Sequence, residues 1–288
     1  MTVTASMVKE LRDKTGAGFM DAKKALEQCE GDMEKAMEFL RQKGIASADK
    51  KQNRIAAEGR IATYIENGVG AIVEVNCETD FVAKNENFAY SVNNLAKHIA
   101  AIKPKDNDEL NASICPETTS MTIADSFKEK IATYGEKISL RRFQVLEGNL
   151  ATYVHNGKIG VLISATAQDE ALLKDIALHI ASSAPEFVSR NQIPQEVIDE
   201  ETSIEMGKED ILNKPENIRA KIVEGRVNKL MAQKCLLEQP FVKAPDQTVQ
   251  DLINGKLEIK EFIRWTLGEG LEKRQDNFAE EVMSQMAK

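Results

Sequence analysis

The chain has 288 residues, of which 42% are hydrophobic and 29% are charged, a composition typical of an ordinary soluble protein with more than one packed core. No apolar stretch approaches the roughly 18 residues that a transmembrane helix needs, and the early charged residues argue against a signal or transit peptide. The net charge of −8 disfavours nucleic acid as the main partner, because an acidic surface repels phosphate. We therefore expect a cytoplasmic protein with a protein partner and no membrane partner.

Cysteine and histidine usage predicts no metal site. The 4 cysteines and 3 histidines are dispersed along the chain, and no Cys-x-x-Cys pair occurs. Zinc sites and disulfide frameworks need closely spaced ligands or paired cysteines, so we expect neither, and buried free thiols are the better interpretation.

Residues 1–54 predict a small module of three short helices. Thr4 or Ser6 can cap the first helix, which ends at Gly16, and a Gly-Ala-Gly turn leads into the second. Gly44 has the position of a C-terminal stop for the third helix, and a linker is expected over 46–57. Apolar residues at helical spacing form the three faces Met7, Val8, Leu11; Ala22, Ala25, Leu26; and Met33, Ala36, Met37, Leu40.

The middle of the chain contains one unit twice. Segments 58–68 and 147–157 agree at seven of eleven positions, and both end in Asn-Gly. Asparagine and glycine tolerate the positive φ of tight hairpin turns, so each copy predicts two antiparallel strands. The second strand of each copy is the apolar run 71–75 or 161–165, and a helix ending in Ala-x-His-Ile-Ala follows. Two small sheets packed with helices are an α+β arrangement.

The two copies differ after the second strand. The first continues as Cys-Glu-Thr-Asp-Phe-Val over 77–82, whereas the second goes directly towards its helix. Phe81, flanked by Asp80 and Lys84, therefore lies on a predicted loop at the end of a rigid strand, where binding residues are often found. The alternative is a buried Phe81 that anchors the corner between strand and helix.

The last third predicts a helical hairpin and a return to the core. Pro194 opens a charged helix, Asn-Lys-Pro at 213–215 breaks it, and a second amphipathic helix follows. The stretch 262–273 contains Gly-Glu-Gly, which we interpret as a turn, because no phosphate-loop motif is present. A final helix within 267–288 could hold a partner or dock on its own protein.

Three motifs in order carry a resemblance to a known family. They are Thr-Gly-Ala-Gly-Phe-Met-Asp-Ala-Lys-Lys-Ala-Leu at 15–26, Thr-Asp-Phe-Val at 79–82 and Arg-Trp-Thr-Leu-Gly-Glu-Gly at 264–270. Together they resemble the bacterial elongation factor Ts family over essentially the full length, and the opening module also resembles ubiquitin-associated domains. The expected parts are a module with its linker (1–54), a first core lobe (55–140), a second core lobe (141–182 with 236–266), a helical hairpin insertion (183–235) and a C-terminal helix module (267–288).

The resemblance implies a function in translation elongation. A member of this family would be a guanine-nucleotide exchange factor that binds elongation factor Tu and displaces Mg²⁺ and GDP from it, with no covalent chemistry and no cofactor of its own. The helical hairpin would be a dimerisation arm, giving a homodimer. The implied partner-binding residues are Thr79, Asp80, Phe81 and Val82 for displacing Mg²⁺, with Met20, Lys23, Lys24 and His155 as other contacts.

Blander interpretations stay open for the same residues. Met20 could pack in the core of its module while the two lysines are merely solvated, and His155 could be an exposed turn residue without a role. The whole protein could instead be an adaptor that uses residues 1–54 to bind ubiquitin-like partners. A hydrolase using Glu78 and Asp80 is a third class, although the sequence shows no accompanying base or metal set.

Overall fold

The structure is a computed structural model that describes residues 3–51, 53–118 and 120–272, with the backbone alone for 45–50. The described helices are α1 (Ala5–Thr15), α2 (Phe19–Gln28), α3 (Met33–Lys51), α4 (Asp80–Lys84), α5 (Glu86–Ile102), α6 (Asn107–Ala112), α7 (Ile123–Tyr134), α8 (Glu170–Ser183), α9 (Gln195–Met206), α10 (Glu209–Leu212), α11 (Glu216–Lys234) and α12 (Val249–Ile253). The described strands are β1 (Glu58–Glu66), β2 (Val69–Cys77), β3 (Ser139–Glu147), β4 (Asn149–His155), β5 (Ile159–Ala165), β6 (Pro240–Phe241), β7 (Ala244–Thr248) and β8 (Ile259–Thr266).

Helices and small sheets are mixed along the chain, which confirms the α+β class. The strand orders are β1-β2-β3, β4-β5-β8 and β6-β7. The described residues fall into two compact units, one formed by those within 3–62, 73–143 and 266–272, the other by those within 63–72 and 144–265. The five-part domain division expected from the sequence stays a prediction.

The N-terminal module is the predicted three-helix bundle. Thr4 caps α1, its hydroxyl accepting from the Met7 amide at 3.3 Å, and Gly16 ends the helix with φ 66°. Left-handed backbone of this kind is the usual glycine C-cap. The apolar faces meet in one core, as predicted, whose buried members are Val8, Leu11, Ala22, Ala25, Leu26 and Ala36.

The predicted stop at Gly44 is wrong, because α3 continues to Lys51. A Cβ added at Gly44 would lie 2.8 Å from the Ala132 Cβ on α7. The glycine therefore permits close packing of two helices within the first unit. Sequence alone does not separate these two uses of glycine, since both place it late in an apolar helical pattern.

Both repeat copies form the predicted hairpins. The connection between β1 and β2 is 67–68, and that between β4 and β5 is 156–158. Asn67 and Asn156 have φ 51°, and the following glycines are also left-handed. Strands β4 and β5 are antiparallel, with His155 opposite Ile159. The Asn-Gly pairs thus adopt the backbone for which they were singled out.

In the second unit, α8 packs on β4 and β5 and buries Leu173, Ile176 and Ile180. His179 on α8 is fully buried, and its ring bonds Gln239 at 2.8 Å and accepts from the Val242 amide at 3.2 Å. Burial lowers the pKa of His179, despite the Gln239 bond, so the ring is neutral near pH 7. This histidine has a structural role.

Helices α9, α10 and α11 form the predicted helical hairpin. Pro215 lies at the start of α11, as expected from the break at 213–215. The first arm is not one continuous helix, because it is interrupted between Met206 and Glu209. The hairpin has its own apolar cluster, whose buried members are Ile193, Ile211, Val223, Val227, Met231 and Cys235.

The chain end is described only as far as 272. Gly268 and Gly270 have φ 68° and 73°, so the Gly-Glu-Gly motif forms the predicted turn after β8. The C-terminal helix expected within 267–288 lies outside the described residues from 273 onwards.

Candidate functional site

The segment 78–85, between β2 and α5, contains a short helix rather than the predicted loop. Thr79 has extended backbone and caps α4, its hydroxyl accepting from the Val82 amide at 3.4 Å. Asn85 then caps α5 through its side chain, which accepts from the Asn87 amide at 2.9 Å. Two caps only six residues apart produce two successive helix starts, and the first leaves room for little more than one turn.

Phe81 points away from the protein. Its side chain is 83% exposed, the largest value among the exposed large apolar residues that the structure describes. The alternative in which Phe81 anchors the corner is therefore wrong. Phe88, on α5, has that role instead: it is buried and meets Tyr134 edge to face, with ring centroids 6.1 Å apart. Single exposed apolar side chains are common on protein surfaces, so the contact role of Phe81 stays a prediction.

The other members of the motif have different orientations. Val82 is buried and attaches α4 to the core. Asp80 lies on the exposed side, where Lys84 donates to its carboxylate one helical turn later. The hydrogen bond and charge of Asp80 raise the pKa of Lys84. The tip of α4 thus presents an aromatic ring beside a carboxylate and an ammonium group.

The carboxylates proposed for a hydrolase have separate structural partners. The Glu78 carboxylate accepts from the Lys137 amide at 2.6 Å and from Arg54 at 3.3 Å, whereas Asp80 pairs with Lys84. The neighbouring Cys77 is buried, and burial raises the pKa of its thiol to about 12. Such a thiol is not an activated nucleophile.

A buried ionic network supports the strand that leads to this site. Glu74 on β2 is fully buried and accepts from Arg141 at 2.8 Å, Arg142 at 2.7 Å and the Gly268 amide at 2.9 Å. Burial alone raises the pKa of Glu74, but these donors outweigh it, so the pKa lies below its ordinary value. The network joins the closing Gly-Glu-Gly turn to β2, within one unit. Sequence reasoning missed it, since nothing local pairs these residues.

The predicted contact residues of the N-terminal module lie on α2. Met20 is 58% exposed, so it does not pack in the module core. Lys23 is exposed and has Glu27 at 3.7 Å, and Lys24 is exposed as well. Phe19 is also half exposed beside Met20. It lies at the first position of α2.

His155 is the exposed last residue of β4, in the second unit. Its ring is stacked on Tyr153 with centroids 6.4 Å apart, and its two nitrogens lie within hydrogen-bonding distance of Tyr153 and Asn156. The side chain is therefore held in place while remaining accessible. This geometry leaves both interpretations of His155 open.

The described ranges contain no cluster of three or more His, Cys, Asp or Glu side chains that could hold a metal ion. In the same part of the chain, every helix is too short or too polar to span a membrane.

Two comparisons with known proteins agree with each other. Residues 78–269 match the family described as elongation factor TS. The chain is also 44% identical to an elongation factor Ts from Nostoc sp. strain PCC 7120, over 99% of this chain and 98% of that protein. The family match includes the exposed helix α4 and the partners of Glu74, which are Arg141, Arg142 and Gly268, but it begins after Glu74 itself.

Proposed function

The chain belongs to the elongation factor Ts family, and we propose that it is a guanine-nucleotide exchange factor acting on elongation factor Tu. Family membership makes it a translation elongation factor; the exchange activity and the partner are the proposal. The reaction forms no covalent bond with this chain and needs no cofactor of its own. It would take place in the cytoplasm, where translation occurs.

Exchange can be explained by linked binding equilibria. A GTPase holds its nucleotide through backbone amides and a Mg²⁺ ion that bridges phosphate oxygens to the protein. A factor that binds the nucleotide-free form more tightly must weaken nucleotide binding by the same ratio. The factor therefore needs a group that competes with the arrangement around Mg²⁺ and GDP.

The exposed ring of Phe81 is the observation that carries the proposal. On the exposed side of α4, Phe81 has the size to enter an apolar slot of the partner beside its metal site, while Asp80 disturbs the groups that position Mg²⁺. Thr79 caps the helix and Val82 anchors it. Burying a phenylalanine ring is worth about 1.5–3 kcal/mol, enough to shift nucleotide affinity by about ten- to a hundredfold.

The remaining contacts would increase affinity. Met20, with Lys23 and Lys24, forms an exposed apolar and basic face on α2, suited to an acidic surface with an apolar depression. His155 would be a further contact from the second unit. Removing residues 1–54 should therefore weaken the complex; an unchanged dissociation constant would contradict a docking role for this module.

The test measures release of fluorescent GDP from elongation factor Tu with and without this protein. The wild type should accelerate release, and Phe81→Ala should lose about ten- to a hundredfold of that acceleration. Tyr90→Ala is the matched control, since Tyr90 is another exposed aromatic residue of the same unit, 64% exposed on α5. It should leave the rate unchanged.

A chelation experiment tests the role of Mg²⁺. Once a chelator has removed Mg²⁺, GDP leaves the partner more readily, so the difference between wild type and Phe81→Ala should shrink. A Phe81→Ala protein as fast as wild type in Mg²⁺ would refute the wedge. The same assay separates an adaptor, which would not accelerate release, from an exchange factor.

Dimerisation through the helical hairpin stays a prediction. The hairpin exposes Ile204, Met206, Leu212 and Ile218. Sedimentation equilibrium of the full chain would measure its oligomeric state.

A further inference from the structure

Glu136, in the turn between α7 and β3, holds the start of α4. Its carboxylate accepts from the Thr79 amide at 3.0 Å and from the Thr79 hydroxyl at 2.6 Å. The same hydroxyl oxygen accepts from the Val82 amide at 3.4 Å. Glu136 thus fixes the rotamer in which Thr79 caps the helix.

The contact is reciprocal, which makes it more than a chance surface bond. Glu78, next to Thr79, accepts from the amide of Lys137, next to Glu136, at 2.6 Å. The Lys137 ammonium donates to the Arg54 carbonyl at 3.0 Å, and the Arg54 guanidinium donates back to Glu78 at 3.3 Å. Two carboxylates therefore bind backbone amides in opposite directions between 78–79 and 136–137. We refer to this arrangement as the carboxylate clamp.

Helix α4 needs outside support because of its length. A helix of five residues is far below the length at which helices are stable by themselves. Only Val82 and Ala83 of α4 are buried, and Phe81 adds nothing to its anchoring. The direction in which Phe81 points is therefore set by the two buried residues and by the clamp.

Helix α8, the counterpart of α5 in the second copy of the repeat, contrasts with α4. Asp169 caps α8 there, its own side chain accepting from the Leu172 amide at 3.1 Å. Helix α8 has 14 residues and a buried face, so it is held by its own packing. The carboxylate of Glu136, from another segment, supports α4, which is too short to be stabilised by its own packing.

We infer that Glu136 is a positioning residue for exchange: it orders α4 in the free protein, so that Phe81 meets the partner already aligned. This inference rests on the proposed function. Ordering α4 before the encounter avoids an entropic cost at the moment of insertion. Losing the clamp should therefore lower the maximal rate of GDP release at saturating factor, with little change in the concentration that gives half the maximal rate.

The experiment compares Glu136→Ala, Glu136→Gln and the control Glu129→Ala, which removes an exposed carboxylate from α7. We expect Glu136→Ala to reduce the maximal rate about three- to tenfold, the worth of one or two hydrogen bonds. Glu136→Gln keeps one carbonyl acceptor and should recover part of the loss. Glu129→Ala should match wild type.

A double variant separates positioning from general weakening. If Glu136 acts through Phe81, Phe81→Ala/Glu136→Ala should be no slower than Phe81→Ala alone, because the position of an absent ring has no effect. Multiplicative losses would overturn the inference. So would a Glu136→Ala rate equal to wild type while Phe81→Ala is slow.

Amide hydrogen exchange over 79–84 in the free protein tests the clamp without any partner. Glu136→Ala should increase exchange there about tenfold, whereas Phe81→Ala should not. Unchanged exchange in Glu136→Ala would overturn the inference. If Phe81→Ala releases GDP as fast as wild type, the proposed function fails, while this measurement still reports on the clamp.

Discussion

Both copies of the repeat have a hairpin followed by a helix, but the segment that connects the hairpin to the helix differs. In the first copy 78–85 connects β2 to α5 and contains α4, whereas in the second 166–169 connects β5 directly to α8. Helices α5 and α8 end alike, with Lys103 and Ala184 both at φ 48°. The same unit folds with either connection, so its fold does not require α4. An element that the fold can omit, and that exposes a phenylalanine, is free to serve binding.

The copies also differ at one buried position. Glu74 is the sixth residue of β2, and Ser164 is the sixth residue of β5. Both are buried, but Glu74 is held by two arginines and an amide, whereas Ser164 bonds a carbonyl at 3.5 Å. The first copy therefore depends on ionic partners far along the chain, and the second does not.

The largest effect is expected from removing the buried carboxylate of Glu74, which the second copy lacks. Glu74→Ala leaves Arg141 and Arg142 without their shared buried carboxylate, which should lower the free energy of unfolding by about 3–5 kcal/mol. Ser164→Ala, the matched change in the second copy, should cost about 1 kcal/mol or less. Urea unfolding of both variants measures the two costs. Equal costs would show that the Glu74 network adds no stability beyond an ordinary buried hydrogen bond.

A second pair compares the glycines that begin the two repeats. Gly59 has φ 141° and Gly148 has φ 123°. A Cβ at Gly59 would lie 2.1 Å from the Val75 carbonyl oxygen, whereas at Gly148 the nearest atom is 3.6 Å away. Both alanine variants are strained by about 1–2 kcal/mol, and Gly59→Ala should cost about 1–3 kcal/mol more because backbone must move. Thermal unfolding would reveal the order, and a reversed order would contradict the close approach.

The Glu74 network also predicts a pH dependence. Because the pKa of Glu74 is lowered on folding from its ordinary 4.5, its contribution is complete above that pH and is lost as the pH falls below it. The free-energy difference between wild type and Glu74→Gln should therefore be constant above about pH 5.5 and shrink below about pH 4.5. Urea unfolding of both proteins across this range measures it. A difference that grows on acidification would mean that the carboxyl is protonated more readily when folded.

Local sequence patterns correctly predicted the elements that depend on interactions between residues close together in the sequence. The Asn-Gly pairs predicted both hairpins, and helical spacing predicted the core of the N-terminal module. The mixed apolar and charged residues around Phe81 left two interpretations open, an exposed contact residue and a buried anchor, and its exposure in the structure excludes the second. In the first two cases the deciding interaction lies within a few residues of the signal.

Three of the failures share one cause, which is contact between segments that are distant in sequence. Gly44 is a packing glycine because Ala132 lies against it. Helix α4 replaces the predicted loop where Glu136 holds Thr79, 57 residues away in sequence. The Glu74 network spans 67 residues to Arg141. Periodicity and turn signals within one segment contain no information about partners in another segment. The sequence therefore predicts where the candidate site lies, but not the distant contacts that hold α4 and β2 in place.

The smallest expected effect concerns helix α4, which occurs in the first copy and has no counterpart in the second. Phe81→Ala should change the free energy of unfolding by less than about 0.5 kcal/mol, since the ring is exposed, while its neighbour Val82→Ala should cost about 1–2 kcal/mol through lost burial. Both are measured by urea unfolding of the free protein. The two variants compare adjacent side chains of one helical turn, of which Phe81 is exposed and Val82 is buried. If Phe81→Ala destabilised as much as Val82→Ala, the ring would belong to the core, and the extra helix of the first copy would be structural.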